Sequence, residues 1–141
     1  MMLDAKGHDT VTISENETLA AATEILAERR IGAILALDGK GKMSGILSER
    51  DIIKFLAKDG AAALDSKVSD CMTKNVITCQ KRDSIDAVAG MMGEGRFRHV
   101  PVMDGGELAG IISVSDVVKH RMAQVSKEAE EMKRYIMDGA A

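Results

Sequence analysis

Aromatic side chains are nearly missing from this chain: Phe55, Phe97 and Tyr135 are the whole set, and there is no tryptophan. The core must therefore be aliphatic, and ten methionines offer adaptable filling for it or for an interface. Cysteine is scarce too. Cys71 and Cys79 make no CxxC pair and have no histidine cluster beside them, which argues against a disulfide staple or a zinc site. Two buried or half-buried thiols are expected instead. No sign of charge dominates: a net −3 lacks the basic footprint of a general nucleic-acid binder. Long apolar runs are absent as well. The stretch Ile31–Leu37 is too short to span a bilayer as a helix, and Met1–Lys6 has no signal-peptide core, so a cytoplasmic protein off the membrane is expected. There is no GxSxG elbow, no HExxH and no paired-carboxylate signature, so neither catalytic residues nor metal ligands are expected.

What is present is enough to fold. The 141 residues, 45% of them hydrophobic, suffice for one sizeable core without covalent staples, and 29% charged residues keep the surface wet.

The chain repeats itself. Val11-Thr12-Ile13 matches Ile77-Thr78-Cys79, and Thr18-Leu19 matches Ser84-Ile85. The phrase Gly45-Ile46-Leu47-Ser48-Glu49-Arg50-Asp51 returns as Gly110-Ile111-Ile112-Ser113-Val114-Ser115-Asp116, one residue closer because the second turn is shorter. Each copy reads strand, helix, strand, turn, strand, helix. In the first, Thr10–Ile13 is β-prone, and Thr18 caps a helical pattern from Leu19 to Arg29. Ile31–Leu37 suits a buried strand, Asp38–Lys42 a hairpin turn, Met43–Leu47 the returning strand, and Asp51–Ala57 a helix. Residues 58–67 link the copies, and Val68–Met72 has the makings of a short helical turn. The second copy predicts helix Ser84–Gly93, strand Arg98–Met103, turn Asp104–Gly106, strand Leu108–Ile112 and helix Asp116–Met122. Gly90 and Gly93 weaken the first of these helices. Beyond it, apolar residues at 125, 129, 132 and 136 predict an amphipathic tail helix, packed on its own domain or against a second chain.

Each seven-residue phrase runs from an extended apolar pair to a serine and then into a helix. A serine there accepts a bond from an orphan amide, and an acid three residues on lies near the positive end of the helix dipole. Two plain helix caps would look like this. So would a helix start built to face an anion, with a carboxylate to grip a sugar diol. The recurrence of the whole phrase at matching places favours the second reading. Arg50 is either a solvated surface residue or a phosphate contact.

Two β-α-β-β-α copies ending in Gly-apolar-apolar-Ser-x-x-Asp resemble the tandem cystathionine-β-synthase (CBS) domain family, the Bateman module. Val68–Thr78 looks like the family's lead-in to a motif, and Phe97–Val102 like its second strand. The resemblance implies an α/β (α+β) fold of two pseudo-twofold-related motifs within a single module over 1–141. Motif 1 is expected over about 6–58, a linker over 59–67, motif 2 over about 68–122 and a C-terminal helix over about 123–138.

It also implies a stand-alone, non-catalytic sensor of adenosine-containing ligands (AMP above all, with ADP, ATP, NAD or S-adenosylmethionine as relatives), held in two clefts. In one, Ser48, Arg50 and Asp51 would meet ribose and phosphate while Ile77, Thr78, Arg98, His99 and Pro101 border the ligand. In the other, Ser113, Ser115 and Asp116 would pair with Lys6, Thr12, Ile13, Ala33 and Leu35. A homodimer is implied, as is a regulated protein partner whose identity the residues do not disclose. The competing reading is a dimerising protein-interaction scaffold whose nucleotide clefts are degenerate.

Overall fold

A computed structural model describes residues 10–139, which divide into two compact units, 10–78 and 79–139. The first contains β1 (Thr12–Ser14), α1 (Leu19–Arg29), β2 (Ala33–Leu37), β3 (Met43–Ser48) and α2 (Glu49–Asp59). A 3-10 helix (Gly60–Asp65) and a one-turn α3 (Val68–Cys71) complete it. The second contains β4 (Cys79–Gln80), α4 (Ile85–Gly95), β5 (His99–Asp104), β6 (Glu107–Ser113) and α5 (Val114–Gly139). The expected α/β architecture is present in both.

Each unit has a three-stranded sheet with the same topology: β1 runs parallel to β2 and β3 antiparallel to it, and β4-β5-β6 follow suit. The repeat extends to an irregularity. The register slips between Ala36 and Leu37 in one sheet and between Val102 and Met103 in the other, leaving Ser44 and Ala109 as the extra residues of matching bulges. The central strand β2 is buried on both faces from Ala33 to Ala36, as its unbroken apolar run requires. Gly105 and Gly106 turn the second hairpin at positive φ (60° and 85°), the twist that suits a two-residue loop.

The helices begin where hydroxyls wait for them. Thr18 accepts from Ala21 N (3.2 Å) and Ser84 from Ala87 N (3.1 Å). Both end at an arginine in the left-handed region, Arg30 and Arg96, each at φ 55°. Helix α4 runs on to Gly95, two residues past the expected end at Gly93. Val88 and Met92 carry its buried face while Gly90 and Gly93 sit exposed.

One expectation needs correcting. The helix at Asp116–Met122 and the tail helix are one, α5, of 26 residues. Nothing between them breaks a helix, since Met122-Ala123-Gln124-Val125 contains neither glycine nor proline. The linker is a packed part of the first unit: Ala63 is buried in its core, and Leu19 N donates to Ser66 O (2.8 Å). Likewise the lead-in to the second copy packs with the first. Val68 and Cys71 join Leu19, Leu26, Ile34 and Leu47 in that core, and Val68 N donates to Glu17 O (2.8 Å). Full burial of Val68 contributes on the order of 1.5–3 kcal/mol, an upper estimate. Leu19, Ala22 and Leu26 of α1 face the same core.

Candidate functional site

Strand β3 delivers Ser48 to the start of α2, and β6 delivers Ser113 to the start of α5. At the first junction Ser48 N donates to Asp51 Oδ2 (3.0 Å), Ser48 Oγ donates to the same oxygen (3.1 Å), and Asp51 N donates back to Ser48 Oγ (3.3 Å). The second repeats this bond for bond: Ser113 N to Asp116 Oδ2 (2.8 Å), Ser113 Oγ to Oδ2 (3.0 Å), Asp116 N to Ser113 Oγ (3.2 Å). These are complete capping boxes with Asp in the usual Glu position. In each the box engages one carboxylate oxygen, Oδ2. Both aspartates are half-buried, beside a helix N-terminus whose dipole favours negative charge.

The backbone pins each junction to the start of the central strand. Glu49 N donates to Gly32 O and Val114 N to Arg98 O, both at 2.9 Å. Ala33 is therefore the register partner of Ser48, and His99 that of Ser113. Strand alternation sorts the rest. Ile13, Ile34, Ala36 and Leu47 enter the helix-packed core of the first unit, so Thr12, Ala33, Leu35, Ile46 and Ser48 lie on the opposite face of that sheet. In the second unit Cys79, Val100, Val102 and Ile112 are core, which puts His99, Pro101, Ile111 and Ser113 on the opposite face.

Most of the expected residues thus share the sheet face that carries a Ser-x-x-Asp junction. Ser48, Asp51, Thr12, Ala33 and Leu35 meet at one junction; Ser113, Asp116, Arg98, His99 and Pro101 meet at the other. Arg50, Ser115 and Arg98 are exposed, Ile77 is 51% exposed and Thr78 half-buried. Ile13 is a correction: its side chain is core, because Thr12 beside it takes the other face, leaving Ile13 only its backbone to offer a ligand. Lys6 lies outside the described residues. Two residues went unnoticed in the sequence, Ile46 and Ile111. Alternation within Ile46-Leu47-Ser48 would have found them, since a core Leu47 sends both neighbours to the junction face.

The thiols have no part in this. Burial, with a smaller contribution from Asp70, raises the Cys71 pKa, and burial with Asp83 nearby pushes Cys79 to about 11. Such thiols are poor nucleophiles at neutral pH. Among the described residues no His/Cys/Asp/Glu group is placed to hold a metal, and no helix is long and apolar enough to cross a membrane.

Known proteins resemble this chain in sequence and fold. The family model for the CBS domain matches twice, over residues 6–58 and 68–123. A CBS domain-containing protein of Arabidopsis thaliana is 30% identical over 86% of this chain, which spans only 23% of that relative's length. Among solved structures, a CBS-domain-containing protein from Agrobacterium tumefaciens is 47% identical, with a TM-score of 0.82 over 85% of this chain and 90% of its own. A CBS domain protein from Pyrobaculum aerophilum complexed with AMP is 26% identical, with a TM-score of 0.72 over 78% of this chain and 84% of its own. A CBS domain pair in complex with 5′-methylthioadenosine and S-adenosyl-L-methionine is 28% identical, with a TM-score of 0.76 over 84% and 92%.

Proposed function

This chain belongs to the CBS-domain family, and from that premise we propose that it is a non-catalytic regulatory module that binds an adenosine-containing ligand. The observation that carries the reading is the duplicated junction: a half-buried carboxylate at a helix start, with one oxygen committed to the cap, beside a half-apolar sheet face. AMP, 5′-methylthioadenosine and S-adenosylmethionine, the ligands of the two complexed relatives, have adenosine in common. A carboxylate suits its ribose diol, and apolar side chains such as Ile46, Ile77 and Pro101 suit its base.

In this reading each junction faces a ligand with residues of its own unit. In the first these are Ser48, Arg50 and Asp51 with Thr12, Ala33, Leu35, the Ile13 backbone, Ile77 and Thr78; in the second, Ser113, Ser115 and Asp116 with Arg98, His99 and Pro101. Each set holds one arginine, Arg50 or Arg98, which favours a phosphate-bearing ligand such as AMP, with ATP and NAD as larger alternatives, over a cationic sulfonium. Two chains pair, as closed twofold assemblies most often do, and binding is relayed to a protein partner.

Thermal shift on ligand-free protein tests this, because a ligand held only by the folded state raises the melting temperature. AMP should give a clear shift, adenosine a smaller one. By calorimetry Arg50→Ala should weaken AMP by roughly tenfold to a hundredfold, the worth of a charge-assisted bond, and adenosine far less. If AMP, ATP, NAD and S-adenosylmethionine all leave the melting temperature unmoved, the sensor reading fails in favour of a protein-interaction scaffold.

A further inference from the structure

Helix α5 is anchored at its start and bare thereafter. Val114 and Val117 pack against the core of the second unit, and Arg121 pairs with Asp86 on α4. From Arg121 to Asp138 every side chain is exposed. That segment is not polar all round: Met122 is 65% exposed, Val125 64%, Met132 61% and Ile136 59%. With Val118 before them and Ala129 between, these residues recur at alternating steps of four and three. This is the a/d spacing of a heptad, in which Met122, Ala129 and Ile136 take a and Val118, Val125 and Met132 take d. A helix of about 27 Å with one exposed apolar seam, uncovered among the described residues, draws its stability from whatever packs on that seam.

The charges beside the seam say what covers it. Glu128 falls at g and Lys133 at the following e, so a parallel, in-register second copy sets each Glu128 against the other chain's Lys133, twice per dimer. An antiparallel copy with full overlap would match Met122 to Met132 and Val118 to Ile136 across the seam. It would also bring Lys119 beside Lys133 and Glu128 beside Glu128. Charge therefore selects the parallel arrangement. A lipid surface fits poorly, because the polar positions carry acids (Glu128, Glu130, Glu131, Asp138) as freely as bases (Arg121, Lys127, Lys133, Arg134), where an interfacial helix favours Lys and Arg.

We propose that residues 118–136 of α5 form a parallel two-stranded coiled coil with a second copy of this chain. The proposal rests on the pairing stated under Proposed function and names its face; it is independent of the ligand.

The test is sedimentation of the full chain at about 50 µM, well above what a working dimer needs, with folding followed by circular dichroism. The unaltered chain should be a dimer. Val125→Glu with Met132→Glu should weaken it by at least about tenfold, since charges enter a dry seam, while Gln124→Glu on the polar face should not. Glu128→Lys should weaken the dimer and added Lys133→Glu restore it. Met132→Cys, under copper–phenanthroline, should cross-link chain to chain. Cross-linking of Met122→Cys to Met132→Cys chains in preference to Met132→Cys with itself would overturn the parallel seam. A dimer that persists with Val125→Glu and Met132→Glu keeps the pairing and overturns the seam. A monomer of the unaltered chain overturns both, and leaves the nucleotide reading to its own thermal-shift test.

Discussion

The two units follow one recipe and end differently. Both build a three-stranded sheet with a bulge at the matching position, and both close it with a Ser-x-x-Asp box that starts a helix. In the first unit that helix stops at Gly60, whose φ of 66° is left-handed, and the chain turns into the 3-10 helix and α3. The residue matching Gly60 in the second copy is Val125, and the helix runs on to Gly139. At that position the first helix turns back to complete its own core, and the second extends with an apolar seam exposed. The cores differ accordingly: Ala63, Val68 and Cys71 reach the first from beyond its helix, and no comparable segment joins the second among the described residues.

The largest effect should come from the shared part of the recipe. Leu47 and Ile112 are matching, fully buried residues ahead of the two boxes. Truncating either to alanine should cost about 2–5 kcal/mol in urea unfolding, equal within about 1 kcal/mol. A wide gap between them would break the equivalence of the two cores.

A smaller effect tests the close approach of two chain segments in the first unit. A Cβ on Gly45 would stand 2.6 Å from Met72 Sδ and 2.7 Å from Thr73 O, where the returning chain pairs with Ile46. The sulfur can move; the carbonyl cannot without loosening the Ile46–Thr73 bridge. Gly45→Ala should cost about 1–3 kcal/mol, and Met72→Ala should recover only part of it. Gly39→Ala, in open space, is the control, and a loss as large there would mean the close approach is not the cause.

The smallest effect sharpens the comparison at the site. Ser48→Ala and Ser113→Ala each remove one capping hydroxyl and should cost about 0.5–2 kcal/mol, read from denaturant midpoints. The boxes match in every bond, so the two losses should agree. Marked disagreement would show that one serine carries a load beyond its cap.

Local chemistry was legible in the residues alone. The repeat, the strand and helix order, the capped junctions and the hairpin turns all depend on spacings within a few residues, which is the range over which caps, turns and alternation act. The residues proposed for the site face came from the family resemblance, and alternation along β1 sets the Ile13 side chain in the core instead. What the sequence could not decide was which partner each segment chooses. Residues 59–78 belong by repeat to the gap and the second copy, yet they pack with the first unit, because its apolar surface was left open where α2 ends. The uninterrupted run of α5 was readable from its lack of breakers, but not the exposure of its seam. Burial is a property of what lies opposite, and only the folded chain shows how exposed Met122, Val125, Met132 and Ile136 are left.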